Sequence, residues 1–551
     1  MSNKEISKIL RLNAALGELH GENEFKLKSL VNGAFQIDRL GTQLQDFTPE
    51  QLLQIPGIGK GLAQKIDEIL QKGTTNELEQ LKDKTPSGII ELLSIKGIGP
   101  KKILTVWKEL GIESPGELLY ACNENRLVEL KGFGEKTQLQ ISKTLQYSLA
   151  SRGKFHYQDA LRIAEEIIRL LKAQDSSLHI LIAGELRRNL ETCTELTLLI
   201  VQEEEVVRNL IAQLPALVIQ QHENNSFTCL LEERYTVRLI CTDVTYFSVD
   251  LFRHTGPDEH LTALKIDAGK LYESEEAIYL QHGLPFILPE LRDLPIAQAK
   301  EINLTTLVSK SDIRGCIHAH STWSDGSNSI REMAEECIKL GFEYLAITDH
   351  SKSASYARGL SVDNVLRQHD EIDLLNQQLA PFRIFKGIES DILVNGDLDY
   401  PDNILSRFEL VIASVHSVLR MDRQKATSRI LAAIENPFTT MLGHPSGRLL
   451  LSREAYPLDY EVLIEAAAKN NVVFELNANR FRMDIDWRYL PLCGKHGVRI
   501  SVNPDAHQKE TITDMYFGID IARKGGLTNT MLFNGLSQTE LSDFLKSKIC
   551  K

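Results

Sequence analysis

Long apolar runs and paired cysteines are both missing from this sequence. No stretch of about 18 consecutive apolar residues occurs among the 551 residues, so a membrane-spanning helix is not expected. Residues 1–30 alternate charged and apolar side chains without the apolar segment of a signal peptide, which predicts a cytoplasmic location. The eight cysteines are scattered with no CxxC motif, and this predicts reduced core thiols instead of a disulfide framework or a cysteine zinc site.

An excess of positive charge is missing as well. The formal net charge is −13, which argues against a protein coated with phosphate-binding lysines. The imbalance is local, because residues 1–150 carry 19 Lys and Arg against 19 Asp and Glu, whereas the remainder carries 43 against 56. The hydrophobic content of 42% is that of an ordinary globular protein, and the length of 551 residues predicts three or more domains.

Between residues 318 and 507, six of the histidines and three of the carboxylates are placed so that one metal cluster could use them all. They are His318, His320, Asp325, His350, Glu389, His416, His444, Asp505 and His507. Most of them follow a short apolar run, which places them at strand ends, where α/β barrels build their sites. A single histidine is more often a surface or core residue than a ligand, but nine matching residues in order predict one cluster. Imidazole and carboxylate suit Zn, Mn or Fe, and the cluster predicts hydrolytic chemistry.

In sequence order these residues form the motifs HxH, SDG, TDH, GxE, SVH, GHP and DAH, which resemble the PHP (polymerase and histidinol phosphatase) family of phosphoesterases. The resemblance implies two or three divalent ions, Mn or Zn, with Glu389 bridging two of them. It implies three ligand sets, namely His318, His320, Glu389 and Asp505 for one ion, Glu389, His416 and His444 for the second, and Asp325, His350 and His507 for the third.

Strand-like and helix-like runs alternate through the same part of the sequence. The candidate strands are residues 314–319, 343–347, 382–387, 409–414, 439–443, 471–476 and 498–502. A helix is predicted over 329–340, because apolar residues recur there at helical spacing. The pattern predicts seven βα units, and the family resemblance implies that they close into a distorted (β/α)7 barrel.

A Gly-x-Gly segment with a lysine close behind occurs three times near the start of the chain. The residues are Gly57, Gly59 and Lys60, then Gly97, Gly99 and Lys101, then Gly132, Gly134 and Lys136. Each segment precedes an amphipathic run, and the pattern resembles the helix-hairpin-helix. Glycine permits the positive φ of a tight turn, and the next helix presents free amides to a phosphate. The three copies predict contacts to the DNA backbone without sequence specificity.

Residues 184–200, 255–260 and 283–292 resemble the palm and thumb of bacterial family X DNA polymerases that carry a C-terminal PHP domain. The resemblance covers essentially the whole chain. It implies a multidomain protein with α-helical helix-hairpin-helix domains, an α+β palm and thumb, and the PHP barrel. The implied boundaries are 1–82 and 83–150 for the two hairpin domains (the second fingers-like), 151–245 for the palm, 246–297 for the thumb, 298–313 for a linker and 314–551 for the PHP domain.

The family's catalytic positions are altered in this sequence. Where the family has a serine, this sequence has Glu185. The two aspartates of the family's Asp-x-Asp motif correspond to Glu195 and Thr197, and its third aspartate corresponds to Arg238. Two-metal nucleotidyl transfer needs three carboxylates to hold its ions, and one remains. We therefore expect polymerase activity to be lost and Arg238 to pair with Glu195.

Two groups of arginines each have a structural and a functional interpretation. Arg187, Arg188 and Glu191 are expected to form a structural ion-pair group and not a nucleotide site. In the barrel, Arg358, Arg448 and Arg482 lie on loops after ligand strands, where each is either a phosphate clamp or a solvated loop charge.

The sequence therefore predicts a metal-dependent DNA phosphodiesterase, a 3′→5′ exonuclease or 3′-end processing enzyme of DNA repair. Glu389, His350 and Arg448 are its candidate catalytic residues. The expected partner is gapped or 3′-end-containing DNA, and the expected state is a nucleoid-associated monomer. A small-molecule phosphatase and a non-catalytic DNA-end scaffold are the alternatives.

Overall fold

The computed structural model describes residues 1–38, 40, 43–55, 57–95, 97–150, 153–232, 235–266 and 270–549. Pro56 and Lys96, in two of the predicted hairpin turns, and Cys550 lie outside the described residues. The chain forms two compact units, residues 1–149 and 150–551. Among the described residues, every helix is too short or too polar to cross a membrane.

The first unit is helical. Its helices are α1 (Asn3–Leu19), α2 (Glu24–Asp38), α3 (Pro49–Leu52), α4 (Lys60–Lys72), α5 (Asn76–Asp83), α6 (Ser87–Ser94), α7 (Pro100–Leu110), α8 (Pro115–Asn123) and α9 (Glu135–Ala150). Ser2 caps α1 in a capping box with Glu5, which satisfies two amides that the helix leaves unpaired. Leu10, Leu30 and Ile66 are buried in the core that α1, α2 and α4 share.

The second unit begins with a mixed α/β region. Its elements are β1 (Phe155–His156), α10 (Tyr157–Gln174), β2 (Ile180–Ala183), α11 (Gly184–Arg187), β3 (Thr192–Cys193), β4 (Leu196–Val201), α12 (Glu204–Ala212), β5 (Leu217–Glu223), β6 (Ser226–Leu231), β7 (Tyr235–Thr242), α13 (Phe247–Thr255), α14 (Asp258–Leu264), α15 (Glu275–Gln281) and α16 (Ile296–Ala299). Five strands form one sheet in the order β2-β4-β7-β6-β5, in which β4 and β7 are parallel and the other pairs antiparallel.

Seven parallel strands and their helices complete the chain. The elements are β8 (Gly315–Cys316), α17 (Ile330–Lys339), β9 (Tyr344–Ile347), α18 (Val362–Leu379), β10 (Arg383–Asp391), α19 (Asp402–Leu405), β11 (Leu410–Ser414), α20 (Arg423–Glu435), β12 (Met441–Leu442), α21 (Tyr460–Asn470), β13 (Val473–Asn477), α22 (Leu490–His496), β14 (Ile500–Asn503), α23 (Met515–Lys524) and α24 (Gln538–Ile549).

The sheet order follows the chain from β8 to β14, and a parallel bridge between Ala319 and Ala506 brings the two edges together. The barrel is therefore nearly closed, and the predicted fold class is confirmed. Each of the seven predicted strands overlaps an observed strand. The strand predicted to end at residue 387 continues to Asp391, so Glu389 lies within β10 and not beyond its end.

One hydrophobic core joins the mixed region to the barrel. Buried side chains such as Leu171 and Phe252 from the mixed region and Ile464 and Ile500 from the barrel belong to a single cluster. The seven cysteines within the described residues are all buried and free, as the sequence predicts. The mixed region and the barrel are thus packed as one body.

Candidate metal centre and nucleic-acid interface

The nine predicted ligands converge at the carboxyl-terminal edge of the barrel strands. Each side chain is at most 4% exposed. His318 and His320 follow β8, His350 follows β9, and Asp505 and His507 follow β14. The convergence arises because the carboxyl ends of parallel strands share one edge of a barrel.

Glu389 lies at the middle of the cluster. Its Oε1 atom is 2.9 Å from His444 Nε2, 3.2 Å from His416 Nε2 and 3.4 Å from His318 Nε2. Its Oε2 atom is 2.9 Å from His350 Nδ1. A carboxylate whose two oxygens face different histidines has the arrangement of a ligand that bridges two ions.

Among the nine predicted ligands, three sets of ligand atoms lie close enough together to hold an ion. They are His320, Asp325, His350 and His507, then His318, His320 and Asp505, then His350, Glu389 and His416. The first two sets resemble the partition that the family resemblance implies. The third differs, because His350 joins Glu389 and His416 where the sequence assigned His444. The assignment of ligands to individual ions stays a prediction.

The polar atoms of the cluster fit a metal. Within the described residues, His318 Nε2, His320 Nδ1, Asp325 Oδ2 and His444 Nδ1 are buried without a hydrogen-bond partner. Each such atom costs about 1–3 kcal/mol when it has lost its water and gained nothing in return. Divalent cations bound among these atoms would offset that cost, so the donor set suits the ions that the motifs imply.

The protonation states of Glu389 and His444 suit metal binding, whereas the neighbouring carboxylates raise the pKa of His318, His350 and His416 against the effect of burial. Burial would raise the pKa of Glu389, but the charges of His416, His318 and His350 hold it well below its usual value. Burial and the nearby Arg482 charge lower the pKa of His444 to about 4. An ionised carboxylate and a neutral imidazole are the forms that coordinate a cation.

Two buried carboxylates that the sequence analysis missed hold the ligands in place. Glu475 accepts hydrogen bonds from His318 Nδ1 at 2.6 Å and from the backbone N–H of His444 at 2.7 Å. Asp391 Oδ1 lies 2.5 Å from His416 Nδ1. Metal-binding histidines commonly donate their second N–H to such a group, which fixes the ring. The available signals were a glutamate inside an apolar strand and an aspartate two residues after Glu389.

Three of the ligands have a backbone conformation that side chains other than glycine rarely adopt. The φ angles are 71° at His318, 26° at His444 and 52° at Asp505. A left-handed backbone conformation costs on the order of 1–3 kcal/mol at a residue other than glycine. Residues held in such conformations cluster at functional sites.

The predicted arginines have different surroundings. The Arg448 guanidinium donates to the backbone carbonyls of Arg482, at 2.9 Å, and Met483, and it pairs with Asp486 at 2.6 Å. These contacts favour a structural role for Arg448 over the predicted phosphate clamp. Arg482 instead lies at the centre, buried, with its Nε atom 3.9 Å from Asp505 Oδ2. Arg358 is exposed.

Three of the residues predicted to stand at the polymerase carboxylate positions lie together, with Thr197 on β4, Arg238 on β7 and Glu195 immediately before β4. The Thr197 hydroxyl donates to Glu195 Oε1 at 3.0 Å, and an Arg238 guanidinium nitrogen lies 3.8 Å from the same oxygen. The expected pairing of Arg238 with Glu195 is therefore present. Glu185 accepts a hydrogen bond from the backbone N–H of Thr194 at 2.6 Å.

The neighbouring charged residues make internal contacts, as expected for a structural group. Arg187 pairs with Glu275, and Arg188 pairs with Asp293 at 3.1 Å. Glu191 accepts a hydrogen bond from the indole N–H of Trp487 at 3.1 Å.

The three Gly-x-Gly segments form turns at helix starts. The first glycine of each has positive φ, 87° at Gly57, 95° at Gly97 and 90° at Gly132. The second glycine is extended where it caps a helix, with φ of −86° at Gly59 and −81° at Gly99. The sequence analysis expected positive φ at the glycines of these turns without distinguishing them. In the structure, the first glycine of each pair has positive φ.

The helix starts after these turns are open. A Cβ atom added at Gly59, Gly99 or Gly134 would meet no heavy atom within 4 Å in the described part of the chain. The lysines that follow are exposed and lie in the first turns of α4, α7 and α9, namely Lys60, Lys101 and Lys136. An anion can therefore approach the free amides, where the helix dipole attracts it.

Known families match most of these parts. Residues 1–75 match the helix-hairpin-helix domain family, residues 89–146 the SAM-like helix-hairpin-helix tandem family, and residues 317–479 the PHP domain family.

Known proteins match the chain over different lengths. The DNA polymerase/3′-5′ exonuclease PolX of Bacillus subtilis (strain 168) is 34% identical over 99% of this chain and 100% of its own length. A probable phosphatase of Thermoanaerobacter sp. (strain X514) is 28% identical, over 42% of this chain and 90% of its own length. A probable phosphatase of Syntrophotalea carbinolica is also 28% identical, over 42% of this chain and 94% of its own length.

Proposed function

This chain belongs to the PolX family, and from that premise we propose that it is a 3′→5′ exonuclease that trims DNA ends but no longer extends them. The observation that carries the proposal is the position of Glu389. Its two carboxylate oxygens face four histidines at 2.9–3.4 Å in a buried cluster. That arrangement suits the cleavage of a phosphodiester bond.

The proposed centre holds two or three ions, Mn or Zn, on the nine predicted ligands. Bound ions would supply a nucleophile at neutral pH and stabilise the charge that develops on the phosphate. Glu389 would bridge two ions, and His350, with Asp325 and His507, would hold the third. Glu475 and Asp391 keep the ligand rings in orientation through their second nitrogens.

Arg482 is the proposed phosphate-binding residue. It is buried beside Asp505, so its positive charge lies next to the predicted ligands. A guanidinium binds two phosphate oxygens in one plane, so Arg482 would orient the scissile group as well as attract it.

The proposed loss of polymerase activity rests on charge. Of the three carboxylates that two ions need, only Glu195 is present, and Arg238 stands 3.8 Å from it. A guanidinium at that distance repels the cations that a carboxylate would attract. Glu185 adds a negative charge where a triphosphate would bind.

The hairpin turns would deliver the substrate. Their open amides and lysines contact phosphates and not bases, so we expect sequence-independent binding of gapped or 3′-end-containing DNA. Such a substrate implies a repair enzyme that acts near the nucleoid, and we propose that it works as a monomer. The domain boundaries proposed are those given by the family resemblance.

Phosphatase activity on a small metabolite is the second candidate. The two relatives named as probable phosphatases favour it, because they match 42% of this chain, a share about as long as the barrel. Neither a phosphatase of this kind nor a catalytically inactive scaffold explains both the hairpins and the complete ligand set.

The test uses 5′-labelled gapped DNA, the full-length protein, and manganese with and without nucleotides. Shortening of the labelled strand from its 3′ end, lost in Glu389→Gln, would support the proposal. Hydrolysis of a small phosphomonoester without any DNA cleavage would favour the phosphatase, and DNA binding without either activity would favour the scaffold.

A further inference from the structure

The loop of residues 478–482 meets the metal centre at both of its ends. Before the loop, Asn477 Nδ2 donates to Asp505 Oδ2 at 2.9 Å. At its last residue, the Nε atom of Arg482 lies 3.9 Å from the same oxygen. A shift of this loop would therefore move Arg482 relative to a predicted metal ligand.

The other side of the loop contacts the start of α10, in the mixed α/β region. Gln158 Nε2 donates to the carbonyl of Ala478 at 3.2 Å. Asp159 pairs with Arg480, with a distance of 2.8 Å between Oδ1 and NH1. The residues at the two ends of this loop thus face the metal centre, and Ala478 and Arg480 between them are held by α10.

Aromatic packing closes the same contact. The His156 ring meets the Phe481 ring edge to face, with the centroids 4.9 Å apart. His156 also contacts the carbonyl of Leu450 through Nε2 at 3.2 Å, and the backbone N–H of Leu450 donates to the carbonyl of Phe481 at 2.5 Å. The loop next to the centre is therefore packed against the mixed region on more than one side.

Burial makes these contacts effective. Gln158 is 1% exposed and Arg482 is 3% exposed. Water therefore does not compete for the hydrogen bond from the Gln158 side chain to the carbonyl of Ala478. Burial would raise the pKa of Asp159, but a hydrogen bond with His156 and the charge of Arg480 prevail and lower it to about 2. Asp159 is consequently ionised at neutral pH and its pair with Arg480 is intact.

We propose that Gln158 and Asp159 are positioning residues, which hold Arg482 in place to bind a phosphate oxygen of the substrate. The proposal rests on the hydrolytic function proposed above for the barrel. It gives the mixed region, with its altered polymerase positions, a part in the reaction that the barrel performs. Displacement of a positioned group by about 1 Å can cost on the order of 100-fold in rate.

The experiment compares full-length variants in which different contacts of the mixed region are removed. Gln158→Leu with Asp159→Asn releases the loop. Glu290→Gln is the matched control, because it breaks the 2.8 Å pair with Arg523 between the same two parts of the chain without touching the loop. Thermal unfolding checks that each variant is folded.

Amide hydrogen exchange is the first readout and does not depend on activity. We expect exchange in residues 477–486 to be about tenfold faster in the double variant and unchanged in Glu290→Gln, because hydrogen-bonded loops exchange only on opening. Equal exchange in the double variant and the wild type would overturn the positioning role. If the wild type fails to cleave phosphodiesters, the proposed hydrolytic function is wrong. Hydrogen exchange still tests, in that case, whether Gln158 and Asp159 hold the loop.

Hydrolysis of bis(4-nitrophenyl) phosphate with manganese is the second readout. We expect kcat/KM to fall about 10-fold to 100-fold in the double variant. If the two residues act through Arg482, the same change should lower kcat/KM by no more than about twofold in an Arg482→Ala background. Independent effects that multiply in that background would contradict the proposal.

Discussion

Arg238 on β7 lies directly opposite Thr197 on the parallel strand β4, and both side chains reach the carboxylate of Glu195. The remaining carboxylate of the altered site is thereby engaged by a hydroxyl and a guanidinium. Of the three positions predicted to correspond to the polymerase carboxylates, only Glu195 is acidic, and its carboxylate already has these two partners.

Template-directed extension should be absent with any divalent metal, because Glu195 alone cannot hold two ions. A primer extension assay with manganese or magnesium checks this. Aspartate placed at 195, 197 and 238 together should restore a trace of activity, still limited by Glu185. Efficient incorporation by the wild-type protein that survives Glu195→Ala would contradict the charge argument.

Glu389→Gln should abolish DNA hydrolysis, by at least about 100-fold, because one change disturbs two proposed ions at once. His350→Ala should also reduce hydrolysis strongly, and both variants should bind DNA like the wild type. Gel-based cleavage and fluorescence anisotropy measure the two properties separately. Full nuclease activity in Glu389→Gln would show that the cluster is not the active site.

Glu475→Gln should weaken metal binding about 10-fold to 100-fold, since loss of a group that orients a ligand typically costs that much. Calorimetric titration of manganese or zinc into chelator-treated protein provides the measurement. Glu409→Gln, on a carboxylate that pairs with Arg383, serves as the control. Equal affinities in the two variants would remove Glu475 from the centre.

DNA affinity should depend on the hairpin turns and on salt. For three phosphate contacts, affinity should fall about 40-fold between roughly 50 and 200 mM salt, because bound counterions are released. Gly99→Ala with Lys101→Ala should weaken binding to all sequences alike, since a methyl group would stand where the phosphate approaches. Lys72→Ala, in the last turn of α4, is the control. Binding that ignores both salt and the paired substitution would contradict the predicted interface.

Asp514 should make stability depend on pH. Burial raises its pKa to about 6, above the usual 3.8, so folding favours the neutral acid. Its contribution to stability is full below about 4 and is lost as the pH rises through 6. Asp514→Asn should therefore stabilise the protein at pH 8 relative to pH 4 by on the order of 2 kcal/mol. Denaturant unfolding at both pH values checks this, and an identical effect at both would refute it.

The order of strands and ligands was predictable because both depend on local patterns. The runs before His350, His416 and His444 alternate with helical segments, and parallel strands must bring their ends to one edge. The division of the ligands among the ions was not predictable, because the spacing of residues in the sequence does not tell which imidazole nitrogen faces which carboxylate oxygen. Glu475 was missed for a similar reason, since its partners lie 157 and 31 residues away.

The contacts of the arginines also depend on tertiary structure. Arg448 and Arg482 have the same sequence context, a loop after a ligand strand, yet one binds backbone carbonyls and the other lies beside Asp505. The structural roles of Arg187, Arg188 and Arg238 were anticipated, because the resemblance to the polymerase palm predicts which of these residues have lost a catalytic partner.

The shared core of the mixed region and the barrel limits how this chain can be shortened. Removal of the first 311 residues would take Leu171, Phe252 and their neighbours out of the core cluster that they share with the barrel, and the barrel fragment should aggregate through the apolar side chains left exposed. The polymerase positions Glu195 and Arg238 lie outside that core, with side chains 35% and 41% exposed. Substitutions at Glu195 and Arg238 should therefore cost little folding stability, whereas deletion of the sheet that carries them would disrupt the shared core.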